Sequence, residues 1–106
     1  MNYRILRGAR RDIDGVEKRL EDEHVGYGIA WLEEVRDAIR AIRSNPLSFP
    51  KSEDAPRGVP TREYFVRRFK YRIIYFLEID EVLIVSAQHA SRKPRSWHRR
   101  LRDRNP

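Results

Sequence analysis

The sequence predicts an α+β fold in a single domain that spans residues 1–106. Two observations predict the class: two helical patterns occupy the first half of the chain, and three β-forming segments with very short links follow in the second. No internal repeat and no long linker divides the chain. We therefore expect an N-terminal strand, a helical hairpin packed on an antiparallel β-meander, and a short C-terminal helix, in the order β-α-α-β-β-β-α.

The N-terminal half predicts one strand and two helices. Residues 3–6 form the strand, which Gly8 ends. Pro46 ends the second helix, because proline disfavours helical geometry at the preceding Asn45. Two apolar stripes at helical spacing define the helices. The first stripe comprises Ala9, Ile13, Val16 and Leu20. The second comprises Ile29, Leu32, Val35, Ile39 and Ile42, with Trp31 and Ala38 beside it.

The C-terminal half predicts a loop, three strands and a helix. Residues 47–60 are rich in proline and form the loop. The strands of the meander are residues 62–69, 71–79 and 82–89. Pro94 suits the first turn of a basic helix that ends near Arg104. The middle strand is apolar on both faces, so one face takes the helices and the other is expected to be a concave, partly apolar surface with charged rims.

Positive charge is concentrated in the C-terminal half. The chain has a net charge of +7 at pH 7 and a pI near 10.2. Residues 57–106 hold 13 Lys and Arg against 5 Asp and Glu, whereas residues 1–56 hold 10 against 11. This asymmetry predicts an anionic partner, namely nucleic acid, a ribosome or an acidic protein. The alternative is a set of solvated arginines, which the segregation of charge disfavours.

Composition excludes several classes of protein. The absence of cysteine rules out disulfides, thiol catalysis and a thiolate metal site. The three histidines have no spacing typical of a metal site, so we expect no metal and no cofactor. No apolar run reaches the roughly 18–20 residues of a membrane span, and residues 1–12 lack the core of a signal peptide. We expect a cytoplasmic protein that has no small-molecule substrate.

Candidate functional residues lie on the predicted sheet and beyond it. Five cations occur on the hairpin that the second and third strands form: Arg62, Arg67, Arg68, Lys70 and Arg72. They could bind phosphate, or they could be edge-strand charge that prevents aggregation. His89 ends the fourth strand, where it could be a general acid or base or a structural residue. Trp97 is expected to anchor the C-terminal helix, and stacking on a base is the alternative.

The sequence offers few groups for catalysis. It has no carboxylate pair, no glycine-rich phosphate loop and no Ser/His/Asp set. Glu53, Glu63 and Glu78 are isolated acids that we expect to be solvated or ion-paired. If the protein is an enzyme, this inventory fits metal-independent cleavage of RNA by its own 2′-hydroxyl, with arginines stabilising the phosphorane charge.

Several different short motifs follow one another along nearly the whole chain. The N-terminal ones are Ala9 with Asp12, Leu32-Glu33-Glu34-Val35, Asn45-Pro46 and Phe49-Pro50. The more specific ones are Val66-Arg67, Phe69-Lys70-Tyr71-Arg72-Ile73-Ile74-Tyr75, residues 82–87 and His89-x-x-Arg92-x-Pro94-x-x-Trp97-x-x-Arg100. In these motifs the chain resembles the RelE/ParE superfamily of bacterial type II toxins, including chains described as plasmid-stabilisation proteins. The resemblance implies a small toxin that a co-encoded antitoxin neutralises through an acidic or amphipathic segment.

The superfamily has two functions on one fold. RelE-like members cleave mRNA in the ribosome, and the resemblance would make Arg72 and His89 catalytic. This chain departs from that group, because it lacks a tyrosine after the fourth strand and a lysine cluster on the second. ParE-like members poison DNA gyrase without an active site, and a histidine followed closely by an arginine is similar to their ending. We favour the ParE-like interpretation over the RelE-like one.

Residues that bind the target or the antitoxin are expected among the remaining cations and the tryptophan of these motifs. They are Arg67, Arg68, Lys70, Arg92, Trp97, Arg99 and Arg100. A third hypothesis is a basic nucleic-acid-binding module that is not toxic. It predicts salt-dependent binding to bare DNA or RNA and no growth arrest on expression.

Overall fold

The strands and helices follow the predicted order along the chain. The computed structural model describes residues 1–92 and 96–102. Its elements are β1 (Asn2–Ile5), α1 (Arg7–Glu23), α2 (Tyr27–Ser44), β2 (Thr61–Val66), β3 (Tyr71–Leu77), β4 (Glu81–His89) and a C-terminal 3₁₀ helix (Ser96–Leu101). The α+β class and the helical hairpin packed on a sheet are confirmed. Pro94 and Arg104, the predicted ends of the last helix, lie outside the described residues.

The four strands form one mixed sheet in the order β1-β4-β3-β2. Strands β2, β3 and β4 make the predicted antiparallel meander. Strand β1 pairs in parallel with β4, so that Tyr3 lies opposite Val82. A parallel pair requires a long crossover, and here the crossover contains both helices and the first two strands of the meander.

Helix α1 buries the stripe that the sequence predicts. Ala9, Ile13, Val16 and Leu20 are its buried residues. The predicted role of Gly8 is wrong, because α1 begins at Arg7 and Gly8 lies within its first turn. The strand and the helix are joined directly through Leu6, which is buried and has extended backbone geometry.

Helix α2 is rotated relative to the prediction. Ile29, predicted to start the buried stripe, is 66% exposed, whereas Trp31 is fully buried. The indole Nε1 of Trp31 donates a hydrogen bond of 3.0 Å to the carbonyl oxygen of Ile13 on α1. The buried ring therefore fixes which side of α2 faces α1 and the sheet, and Ile29 is left in solvent.

Apolar residues cover both faces of the sheet. On the first face, the helices pack on Tyr71, Ile73, Tyr75, Val82, Ile84 and Ala87. On the second face lies a smaller core of Leu6, Ile74, Val85, Trp97 and Leu101. The second face is apolar at its centre, as predicted, but it is not an exposed concave surface there, because the C-terminal 3₁₀ helix packs on it. The 3₁₀ helix covers it, because the side chains of Trp97 and Leu101 insert there.

Strand β4 contains a β-bulge. Ile74 pairs with Ser86, whereas the next residue, Tyr75, pairs with Ile84, so that Val85 is the extra residue. A bulge reverses the alternation of side chains beyond it. A regular strand would place Val85 and Ala87 on one face, but the bulge separates them: Ala87 belongs to the core under the helices, whereas Val85 belongs to the second core.

The second and third strands end earlier than predicted. Strand β2 stops at Val66, and the next four residues form a turn in which Lys70 has a φ of 60°. The amide of Lys70 donates to the carbonyl of Val66 at 2.8 Å, and the carbonyl of Lys70 accepts from Ala90 at 2.8 Å. Arg67, Arg68 and Lys70 therefore project from a turn and not from a strand.

Trp97→Ala should destabilise the protein by about 3–5 kcal/mol, because it removes the largest side chain of the second core. Trp97→Phe should cost clearly less, since the indole Nε1 of Trp97 has no hydrogen-bond partner in the described part of the chain. Urea unfolding measures both changes in the free energy of unfolding. The control is Ile79→Ala at a fully exposed position, which should change stability by less than about 0.5 kcal/mol. Equal effects of the three substitutions would contradict a packed second core.

Candidate functional site

Arg72 is held by internal contacts. Its Nη1 lies 3.0 Å from Oε2 of Glu63 and 3.3 Å from Oδ1 of Asp54, and its Nη2 donates to the carbonyl of Arg92 at 3.2 Å. The side chain is 14% exposed, and each of its two acidic partners is 18% exposed. The guanidinium is therefore paired with two carboxylates in a largely dry environment.

Burial and pairing act in opposite directions on the pKa values of this cluster. Burial raises the pKa of Glu63 above 4.5, and this effect exceeds the lowering by Arg72. Burial lowers the pKa of Arg72, but the hydrogen bonds to Asp54 and Glu63 together outweigh it and raise that pKa. Glu63 and Asp54 repel each other when both are ionised, so the cluster depends on the guanidinium between them.

His89 lies on the other face of the sheet from Arg72. It pairs with Tyr71 at the end of β4, and the two rings meet edge to face with centroids 5.1 Å apart. Tyr71 belongs to the core under the helices. The neighbouring pair, Arg72 with Gln88, points to the opposite side. The structure therefore does not bring Arg72 and His89 into one site.

The turn between β2 and β3 presents three exposed cations. These are Arg67, Arg68 and Lys70. The guanidinium of Arg68 lies 5.1 Å from the ring centroid of Phe69 and 5.6 Å from that of Tyr27. Arg62 is not part of this group, because its Nη1 donates to the carbonyl of Phe49 at 2.6 Å.

The C-terminal candidates differ in their surroundings. Arg92 and Arg99 are exposed, whereas Trp97 is fully buried in the second core. Arg100 forms an ion pair with Asp12, with Nη1 2.7 Å from Oδ2. Of these four residues, only Arg92 and Arg99 present their side chains freely to solvent. Arg100 and Trp97 hold the 3₁₀ helix on the sheet.

Asp12 is the residue whose importance the sequence analysis missed. Its Oδ2 accepts hydrogen bonds from Ser86 Oγ at 2.9 Å and from the amide of Ala87 at 3.1 Å, in addition to the bond from Arg100. Arg100 also donates to the carbonyl of Val85 at 2.9 Å. Both residues therefore satisfy backbone groups at the bulge. The sequence offered one indication of its importance, because Asp12 belongs to the first of the short motifs. That motif did not reveal its partner Arg100, which lies 88 residues away.

Gly8 makes room for this ion pair. A Cβ atom at position 8 would lie 2.6 Å from Cζ and 2.7 Å from Cδ of Arg100. Those atoms are fixed by the bonds to Asp12 and Val85, so the guanidinium has little freedom to move away. The requirement for glycine at this position in a helix follows from close packing and not from an unusual backbone conformation.

A groove runs between the two helices and strand β1. Its volume is about 390 Å³, and its apolar floor comprises Ile5, Ile13, Leu32, Val35 and Ile39. Its other lining residues are Tyr3 and four arginines: Arg10, Arg36, Arg40 and Arg43. Sequence reasoning missed these arginines, since the acids of the N-terminal half mask them in the net charge. The spacing of positions 36, 40 and 43 was the available signal, because it places three cations on one side of a helix.

The described residues contain neither a candidate metal site nor a candidate membrane-spanning helix. Residues 1–92 and 96–102 contain no cluster of three or more His, Asp or Glu side chains arranged to hold a metal ion. Over the same ranges, neither helix combines the length and the apolar content that crossing a bilayer requires.

Comparison with known proteins identifies the family. The family model described as the ParE toxin of the type II toxin-antitoxin system parDE matches residues 3–94. The chain belongs to the ParE toxin family. A solved structure described as the chromosomal ParDE toxin-antitoxin system from P. aeruginosa is similar in fold, with a TM-score of 0.63 at 18% identity over 86% of this chain and 97% of that one. No curated protein matches the sequence.

Membership of the ParE family confirms the resemblance to the RelE/ParE superfamily. The matched range begins one residue inside β1, includes both helices and strands β2 to β4, and ends before the 3₁₀ helix. Arg72, His89 and Arg92 lie within that range, whereas Trp97, Arg99 and Arg100 lie beyond it. The roles of these residues in this ParE-family chain remain predictions.

Arg72→Met should destabilise this ParE-family protein by about 3–5 kcal/mol at neutral pH, since it leaves two buried carboxylates without a cation. The pKa of Glu63 is already raised above 4.5. A raised pKa contributes stability that is present below the unfolded-state value and is lost as pH rises. Without Arg72 that pKa should rise further, so the loss of stability should grow from pH 4.5 upwards. Urea unfolding across this pH window measures the effect.

Glu63→Gln is the matched variant, because it keeps the size of the side chain and removes one of the two repelling charges. We expect it to change the free energy of unfolding by less than about 1 kcal/mol at neutral pH. It should also make the free energy of unfolding depend less on pH above pH 4.5. A loss for Arg72→Met that does not depend on pH would contradict the electrostatic account and leave only a packing defect.

Proposed function

We propose that the protein is a growth-inhibiting toxin that poisons DNA gyrase and that a cognate antitoxin relieves the inhibition. Membership of the ParE family supports the assignment as a toxin. The pairing of Arg72 with two carboxylates supports gyrase as the target. A gyrase poison acts by binding and needs no catalytic residues of its own. A toxin of this kind acts in the cytoplasm, where its target lies.

The observation that carries the choice of target is the neutralisation of Arg72. Cleavage of RNA would require a free guanidinium to stabilise the charge that develops on the phosphorane. Here Glu63, Asp54 and the carbonyl of Arg92 occupy that guanidinium, and it is 14% exposed. Releasing it would leave two buried acids unpaired. In addition, His89 faces the other side of the sheet, so the two residues cannot act together on one phosphate.

One observation favours the RelE-like alternative. His89 and Arg92 both line an open cavity at the end of β4. A ribosome-dependent, metal-independent endoribonuclease could use such a pair without Arg72. This alternative predicts that His89→Gln or Arg92→Gln abolishes mRNA cleavage, whereas gyrase poisoning predicts no mRNA cleavage by any variant.

The groove between the helices and β1 supports a particular kind of antitoxin. Its apolar floor would bury one face of an amphipathic segment, and the arginines on its rim would pair with acids on the edges of that segment. Arg43 stacks on the ring of Tyr3 at 4.7 Å and donates to the carbonyl of Met1 at 2.7 Å, which fixes one side of the groove. We infer that an amphipathic, acidic segment of the antitoxin occupies this groove.

Expression without antitoxin should stop replication and trigger a DNA damage response while translation continues at first. The measurement follows DNA synthesis, a damage reporter and protein synthesis in parallel after induction. With purified gyrase and supercoiled plasmid, the protein should cause linear DNA to accumulate after detergent and protease treatment. Co-expression of an acidic protein encoded beside it should restore growth. An immediate translation block with cleaved mRNA would contradict the gyrase target, and unimpaired growth would contradict a toxin.

Arg36→Glu combined with Arg40→Glu should weaken antitoxin binding by about tenfold or more, because both reversals place like charges beside the acidic segment. Isothermal titration calorimetry with the purified antitoxin measures the dissociation constant. The matched variant is Arg67→Glu combined with Arg68→Glu, which reverses two exposed charges on the turn that the sequence analysis favoured. Loss of binding only in the turn variant would contradict the groove and support the turn.

A further inference from the structure

A second cavity lies on the helix side of the sheet, between α1 and the end of β4. Its volume is about 520 Å³, which is within the range of sites for small ligands. The charged residues on its wall are Arg11, Asp12, Arg19 and Arg92, together with His89. Neither the proposed target nor the groove for the antitoxin accounts for this cavity, since the groove is lined by other residues.

Three guanidinium groups surround the cavity. Arg19 is held by Tyr71, because its Nη2 donates to the phenol oxygen and its Cζ lies 5.6 Å from the ring centroid. Its contact with Glu23 is 3.8 Å long and exposed, so it neutralises Arg19 weakly. Arg11 and Arg92 are exposed and have no acidic partner in the described ranges 1–92 and 96–102. The cavity therefore presents cations whose charge is largely uncompensated.

Two further lining groups are hydrogen-bond donors. The backbone amide of Ser91 donates to Nδ1 of His89 at 3.2 Å, and the hydroxyl of Ser91 lies 2.8 Å from the same atom. Because a backbone amide can only donate, Nδ1 is an acceptor here and the neutral ring carries its proton on Nε2. The phenol of Tyr71 accepts from Arg19 and so keeps its own proton to donate.

The one carboxylate on the wall is already saturated. Asp12 accepts bonds from Ser86, from the amide of Ala87 and from both terminal nitrogens of Arg100. Its charge is therefore directed into the bulge and away from Arg11 and Arg19. The groups that remain to meet a ligand are donors, and most of them are positively charged. A ligand that fits must be an anion with several acceptor oxygens.

We propose that this cavity binds the phosphate group of a nucleotide-sized ligand, either a free phosphate ester or the end or backbone of a nucleic acid. A phosphate offers three or more acceptor positions to separate donors and carries up to two charges. A single carboxylate carries only one charge on two oxygens, so it would compensate the three guanidiniums less well than a phosphate does. The volume leaves room for a sugar and a base beside the phosphate.

The test measures binding of inorganic phosphate, adenosine monophosphate and a short DNA duplex to the purified full-length protein at low ionic strength by titration calorimetry. Arg11→Gln combined with Arg19→Gln should weaken binding of adenosine monophosphate by about tenfold or more. The matched control is Arg7→Gln combined with Lys18→Gln, which removes two exposed charges from the same helix outside the cavity. We expect the control to bind like the unmodified protein, and circular dichroism establishes that both variants fold.

Comparison of the three ligands distinguishes a free phosphate ester from nucleic acid. Binding of the mononucleotide without further gain for the duplex indicates a free phosphate ester, whereas tighter duplex binding that the Arg11/Arg19 variant loses indicates nucleic acid; both support the site. Equal weakening by the two double variants would overturn it, since the effect would then be one of net charge. Acetate or a short acidic peptide that binds as well as phosphate would also overturn it. The outcome is independent of the gyrase assay.

Discussion

The ion pair between Asp12 and Arg100 connects the three parts of the structure. Asp12 lies on α1 and accepts hydrogen bonds from Ser86 and Ala87 on β4. Its ion-pair partner Arg100 lies on the 3₁₀ helix. A bulge leaves backbone groups without partners in the strand, and burying them unsatisfied costs about 1–3 kcal/mol each. Arg100 satisfies the carbonyl of Val85, and Asp12 satisfies the amide of Ala87. The pair therefore stabilises the irregular strand as well as the contact between layers.

The position of the bulge determines which residues can act together. Without the extra residue, His89 would lie on the face of Val85 and not on the helix side. With it, His89 joins Tyr71 beside α1, and Arg72 is left with Glu63 and Asp54 on the other face. One inserted residue thus places His89 and Arg72 on opposite faces of the sheet, whereas a regular β4 would have placed them on the same face. His89 thereby lies on the wall of the cavity that Arg11 and Arg19 also line.

The sequence predicted the class of fold, the order of elements and the buried stripe of α1, because each depends on local periodicity. It could not predict the bulge, since residues 82–85 are all apolar and show no alternation that would mark a change of face. The rotation of α2 was missed because Trp31 counted as one apolar residue, although its size decides the packing. At the site, Arg72 and His89 were correctly placed on their strands, but their faces and partners depend on contacts between distant residues.

The parallel pairing of β1 with β4 has a consequence for synthesis of the protein. Tyr3 emerges from the ribosome early, yet its partner Val82 is made only after both helices and most of the sheet. The bond from Arg100 to Asp12 joins residues 88 positions apart. Contacts between such distant positions form late and slow folding. The nascent chain therefore cannot assume its final shape until Arg100 has been synthesised, and β1 has no partner strand until Val82 is in place.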